Sequence, residues 1–156
     1  TSAEPLTGAA QPVRERGQVR NLFVYGTLMC EDIMQQVAGC LPARLAGVLT
    51  GYERRAVKGE HYPGLVPGAG GRVDGVVYRD VPGFSWARLD RFEGDMYRRR
   101  RVQVELTDGA TLMAQTYVIR PRFVSRLDSA GWSFAEFLRS GKAKFRRHYP
   151  GYAQLD

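Results

Sequence analysis

Three groups of residues in this chain have types and spacings suited to chemistry. The first is Tyr25-Gly26-Thr27-Leu28. A glycine there permits a sharp bend, and successive backbone N–H groups at such a bend form a concavity that holds an anion such as an α-carboxylate. Most strand–glycine–helix junctions merely connect elements, so these four residues alone leave both readings open. The second is Glu93, within Leu89-Asp90-Arg91-Phe92-Glu93-Gly94. A carboxylate at a helix C-terminus faces the negative end of the helix dipole, and partial burial there raises its pKa. A raised pKa suits a general acid/base. A solvated helix-end glutamate explains the same residues, and Asp90 and Asp95 are competing carboxylates nearby. The third is Arg98-Arg99-Arg100-Arg101. Four arginines suggest phosphate, but on a strand alternate side chains point to opposite faces, so they do not form one patch.

The remaining polar candidates are sparse. His61 and His148 have no paired nucleophile or ligand-type spacing, and no Gly-x-Ser-x-Gly elbow is present. Cys30 and Cys40 form no Cys-x-x-Cys pair and read as reduced packing residues. No structural zinc site is expected.

The elements that must position these residues are legible in outline. Leu22-Phe23-Val24-Tyr25 is a short apolar run that reads as a buried strand entering a tight loop. Glu31 to Ala38 follows with Ile33, Met34 and Val37 at helical spacing, acidic residues in the first turn and Gly39 as its end. Ala43 to Val57 reads as one or two strands broken at Gly47 and Gly51. Gly59 to Gly71, rich in Gly and Pro, reads as a long loop of the kind that carries function or specificity. Val73 to Val81 is a strand, and Pro82-Gly83 turns the chain. Phe84 to Phe92 is a helix with Ser85 as an early cap and Gly94 as its terminator. Tyr97–Leu106 and Thr111–Ile119 form a hairpin about Thr107-Asp108-Gly109. Ser133 to Leu138 opens a short helix, and the basic, aromatic end from Lys142 to Tyr152 has no clear pattern. Strands outnumber helices without strict alternation, which predicts α+β with a mixed, closable sheet.

The chain has 156 residues, of which 44% are hydrophobic and 25% charged. This suits one domain with a real core and excludes a disordered chain. Residues 1–20 read as a flexible tail, and residues 21–156 as the domain. No apolar run approaches the about 20 residues that cross a bilayer, and no signal peptide is visible, so a cytoplasmic location is expected. The formal net charge of +7 favours acidic ligands. A nucleic-acid-binding module is one reading of that charge. The absence of a Gly-Lys-Ser/Thr phosphate loop and of an aromatic ladder argues against it.

Four segments in series resemble a known family. Phe23-Val24-Tyr25-Gly26-Thr27-Leu28-Met29 is similar to the opening signature of the γ-glutamylcyclotransferase-like superfamily, specifically its avirulence-induced-gene-like branch. His61-Tyr62-Pro63-Gly64-Leu65-Val66-Pro67, Val73-x-Gly75-x-Val77-Tyr78, and the run from Leu89 to Val104 through Glu93, Gly94, Tyr97 and Arg99 resemble later segments. The likeness spans Leu22 to Ile119. It implies a small mixed β-barrel with flanking helices. It also implies that Tyr25, Gly26, Thr27 and Leu28 hold a glutamyl group, that Glu93 is the catalytic glutamate, and that Tyr97 lies close to the substrate. The implied activity is release of 5-oxoproline from a γ-glutamyl amide without metal or organic cofactor. The implied partner is a small γ-glutamyl molecule, neither nucleic acid nor membrane. The alternative within the same fold is a silent member that only binds a small ligand.

Overall fold

A computed structural model of the chain describes residues 19–155. The expected tail therefore lies outside the described residues, apart from Val19 and Arg20. The Val19 carbonyl accepts a bond from Gln115 Nε2 at 2.7 Å, and the Arg20 carbonyl accepts the Val81 N–H at 2.8 Å.

Alternating apolar residues build five strands among the described residues: β1 (Leu22–Val24), β2 (Arg44–Ala56), β3 (Pro63–Tyr78), β4 (Tyr97–Leu106) and β5 (Thr111–Ile119). They close into a barrel in the order β1-β3-β2-β4-β5. Pairing is antiparallel except where β5 meets β1, with Leu22 opposite Gln115, so the barrel is mixed. One side-chain set, including Phe23, Leu49, Val77, Val104 and Val118, comes from all five strands and fills the interior. The alternate set, including Leu22, Val24, Tyr78 and Ile119, packs outward against the helices.

Helix α1 (Glu31–Ala38) buries Ile33, Met34 and Val37 and ends at Gly39 with φ 83°. Helix α2 (Gly83–Glu93) buries Leu89 and Phe92 and ends at Gly94 with φ 80°, whose N–H bonds the Asp90 carbonyl. Both terminators supply the positive φ that L-residues avoid. Ser85 does not cap α2. Pro82 precedes the helix, and the buried Ser85 hydroxyl instead donates to the Ala38 carbonyl at 2.7 Å, joining α2 to the end of α1. A C-terminal arm comprises α3 (Phe134–Glu136, opened by Ser133), a π turn (Phe137–Gly141), α4 (Lys142–His148) and a final 3₁₀ segment (Pro150–Leu155). Phe137 and Phe145 anchor this arm in the outer core.

The expected loop from Gly59 to Gly71 is mostly strand. β3 begins at Pro63 and pairs with β2 from Ala56 opposite Pro63 to Arg44 opposite Tyr78. Only an excursion interrupts it: between Thr50–Arg72 and Tyr52–Pro67, β2 supplies Gly51 alone and β3 supplies residues 68–71. Likewise Gly47 is no break; it pairs with Gly75 inside a continuous β2. The glycines are there because barrel closure leaves no room. A Cβ on Gly64 would fall 2.5 Å from Ile119, and one on Gly75 2.3 Å from the Val24 carbonyl. Glycine in a strand marks a close approach as readily as a turn.

Candidate active site

Where β1 ends, Tyr25 and Gly26 lead into a single 3₁₀ turn, Thr27–Met29. Every carbonyl of this bend is held from behind. The Tyr25 carbonyl accepts from Arg54 Nη1 at 2.8 Å, that of Gly26 from the Met29 N–H, and that of Thr27 from the Cys30 N–H. The Leu28 carbonyl accepts from the Tyr78 hydroxyl at 2.8 Å, and that of Met29 from Arg44 at 3.2 Å. The N–H groups of Gly26, Thr27 and Leu28 have no acceptor among the described residues. A bend with filled carbonyls and free amides presents partial positive charge. Gly26 is required by Pro63, whose ring would lie 2.9 Å from any Cβ at that position.

These residues line a cavity of about 400 Å³ of empty space, mouth included, together with Glu93, Tyr97 and a wall of aromatic rings. The structure thus gathers Tyr25, Gly26, Thr27, Leu28, Glu93 and Tyr97 around one space. Glu93 is the last residue of α2 and remains partly exposed. Its carboxyl makes no hydrogen bond or ion pair with protein among the described residues. Burial, and then the charge of Asp90, push its pKa from 4.5 up to about 8. The other two carboxylates are otherwise engaged or displaced. Asp90 takes a bidentate bond from Arg99 at 2.8 and 3.1 Å and accepts the Tyr117 hydroxyl at 2.6 Å. Asp95 is exposed and does not line the cavity.

The tyrosines around Glu93 are tied down and protonated. Tyr25 donates to the Tyr117 carbonyl at 2.6 Å, and Tyr97 to the Pro63 carbonyl at 2.7 Å. Burial raises both hydroxyls well above the ordinary tyrosine range, and the nearby Glu93 charge adds to the effect. Tyr149 donates to the Phe92 carbonyl at 2.7 Å, and its oxygen lies 3.1 Å from that of Glu93. It thereby satisfies carbonyls left open at the end of α2. Its ring stacks on Phe145 with centroids 4.7 Å apart and meets Tyr62 edge-on at 5.0 Å.

The sequence named none of Tyr62, Phe92, Tyr117, Phe145 and Tyr149 as cavity residues. Tyr62 lies in the His61–Pro67 segment that resembles the family. Phe145 and Tyr149 sat in the C-terminal stretch whose aromatic density was the available signal. His61 and His148 do not line the cavity. Among the described residues, no three His, Cys, Asp or Glu side chains gather as metal ligands would. The arginine run divides as strand alternation requires: Arg99 packs over Trp86 at 5.0 Å and pairs with Asp90, whereas Arg98 and Arg100 are exposed.

Comparison with known proteins bears on the family and the fold. Residues 22–134 match the model of the family described as gamma-glutamyl cyclotransferase, AIG2-like. AIG2-like protein C of Arabidopsis thaliana is 32% identical over 126 residues, covering 80% of this chain and 73% of its own. An Arabidopsis thaliana protein known from a solution structure superposes with TM-score 0.66 at 27% identity, covering 90% of this chain and 82% of its own. An AIG2-like protein from Mus musculus superposes with TM-score 0.57 at 25% identity, covering 73% and 88%. The fold is that of these relatives, and the chain belongs to the AIG2-like gamma-glutamyl cyclotransferase family.

Proposed function

We propose that this chain releases 5-oxoproline from a γ-glutamyl amide, with Glu93 as general acid/base. The observation that carries this reading is a carboxyl of raised pKa, free of protein partners, in the same cavity as three unpaired backbone amides. In the proposed reaction the amides of Gly26, Thr27 and Leu28 hold the substrate α-carboxylate. The α-amine then attacks the γ-carbonyl carbon of the same glutamyl group. Holding the two ends of one molecule together converts binding into a large effective concentration. A new C–N bond closes the five-membered ring as the amide C–N bond breaks. Glu93 accepts the proton lost by the attacking amine and delivers it to the departing amine. No water or other reactant is consumed. The aromatic wall excludes solvent, which strengthens every electrostatic contact inside.

Tyr25, Thr27, Leu28 and Tyr97 are assigned to shaping the glutamyl pocket. A ligand-binding member without catalysis would gain nothing from burying an unpaired carboxyl, since such burial is costly. A cytoplasmic location goes with this reading, and the free Cys30 and Cys40 support it. The test is incubation with γ-glutamyl amino acids, γ-glutamyl alkylamines and γ-glutamyl-lysine isopeptide, with 5-oxoproline quantified. At least one substrate should yield 5-oxoproline, and Glu93→Gln should abolish the release while the protein stays folded. Equal activity in that variant would refute the role of Glu93.

A further inference from the structure

Two arginines touch the bend from behind, and they differ in how their charge is balanced. Arg44 donates to the Met29 carbonyl at 3.2 Å, and Glu31 pairs with it at 3.1 Å. Arg54 donates through Nη1 to the Tyr25 carbonyl at 2.8 Å, and the same nitrogen reaches the Asp74 carbonyl at 3.2 Å. Arg54 makes no ion pair with a carboxylate among the described residues. The Asp74 carboxylate is exposed and lies 3.7 Å from Arg72. The fold sets the place of Arg54: β2 carries it opposite Leu65 of β3, and its guanidinium lies over the Trp132 ring at 5.6 Å. Trp132 is fixed in turn by its Nε1, which donates to the His61 carbonyl at 3.0 Å. Burial lowers the pKa of the guanidinium and the Asp74 charge opposes this, but an arginine keeps its proton at any working pH.

The Tyr25 carbonyl and the Gly26 N–H belong to one peptide unit. A hydrogen bond to the oxygen polarises the whole unit, so its N–H becomes a stronger donor. A charged donor does this more than a neutral one. The other two free amides have neutral backing. The Thr27 N–H shares its peptide with the Gly26 carbonyl, which accepts the Met29 amide at 3.0 Å. The Leu28 N–H shares its peptide with the Thr27 carbonyl, which accepts the Cys30 amide at 3.1 Å.

We infer that Arg54 is a positioning residue for substrate: from behind the bend it polarises the Gly26 amide into the strongest anchor of the α-carboxylate, without touching the substrate. It takes no part in proton transfer. The inference rests on the cyclotransferase reading for the presence of that carboxylate at the bend. The carboxylate is held alike before and during ring closure, so Arg54 governs affinity and not the rate of the chemical step.

The test compares 5-oxoproline, which carries the α-carboxylate, with 5-oxoprolinamide, which lacks its charge, by calorimetric binding to the full chain. The wild type should prefer the acid by about tenfold. Arg54→Met keeps an unbranched side chain over Trp132 and removes the charge. It should bind the acid about tenfold more weakly, the scale of one charge-assisted hydrogen bond, and the amide within about twofold of wild type. Arg54→Lys should fall between the two proteins, because the charge returns without the forked geometry. With a γ-glutamyl amide that is turned over, Arg54→Met should raise KM about tenfold and leave kcat within about threefold. A wild type that does not prefer the acid overturns the inference. So does an unchanged affinity for the acid in folded Arg54→Met, an equal loss for acid and amide, or a fall in kcat with KM unchanged. If Arg54→Met does not fold, proton–nitrogen NMR spectra of the wild type decide. Titration with 5-oxoproline should move the Gly26 amide proton downfield further than those of Thr27 and Leu28, and a smaller shift at Gly26 overturns the inference. Acid binding that depends on Arg54, with no 5-oxoproline released from any γ-glutamyl amide, would instead overturn the cyclotransferase reading and leave the role of Arg54 standing.

Discussion

Replacing Glu93 with Gln keeps the side chain's size and removes its charge, so the stability difference between the two proteins reports the buried carboxyl directly. Unfolded, this carboxyl loses its proton near 4.5; folded, it keeps it to about 8. Between those values the folded protein holds a proton that the unfolded chain has lost, so wild-type stability falls as pH rises. Below 4.5 the group is protonated in both states and costs nothing. Above about 8 the full cost is present. At about 1.36 kcal/mol per pH unit, the interval sets a ceiling of about 5 kcal/mol. Water reaching the partly exposed side chain reduces this to about 2–3 kcal/mol. Gln has no such dependence. The variant should therefore match the wild type at pH 4 and exceed it at pH 8.5, by about 2–4 °C in thermal midpoint for each kcal/mol in a protein of this size. Urea or thermal melts at half-unit pH steps measure the gap. A gap that stays flat with pH, or that closes as pH rises, would refute a buried carboxyl of raised pKa at position 93 and the acid/base role built on it.

Other consequences are equally open to measurement. The kcat/KM for 5-oxoproline release should climb with pH toward a plateau above about 8, because the attacking amine needs the ionised form of Glu93. Asp90→Asn removes the second cause of the raised pKa, so the rising limb should move to lower pH; an unmoved limb would assign it to another group. Tyr149→Phe keeps the ring packing but loses the hydroxyl bond at the end of α2, and should cost about 1 kcal/mol in denaturant unfolding and lower kcat more than it raises KM. Gly26→Ala drives a Cβ against Pro63 and should cost about 1–3 kcal/mol while raising KM, as the bend that carries the free amides shifts.

Local chemistry made a good part of this protein readable in its sequence. The apolar run ending at Tyr25 and the glycine after it declared a strand and a bend. The spacing of Ile33, Met34 and Val37 declared α1, and Gly94 marked the end of α2 one residue after Glu93. Thr107-Asp108-Gly109 declared the β4–β5 hairpin, where Gly109 takes φ 87°. These are short-range signals, because capping, turn and periodicity preferences act between near neighbours.

The rest was decided by contacts between residues far apart in the chain. Gly64 looked like a loop residue, yet it sits within β3, where Ile119 crowds it once the barrel closes. Ser85 looked like a cap and instead bonds Ala38, 47 residues away. Phe145 and Tyr149 carry no motif, but packing on Phe92 makes them one wall of the cavity. Glu93 itself was named from the sequence, whereas its environment was not. A glutamate at a helix end is a solvated charge unless distant rings surround it, and burial, which is a property of the assembled fold, is what turns that carboxyl into a group that holds its proton near neutral pH.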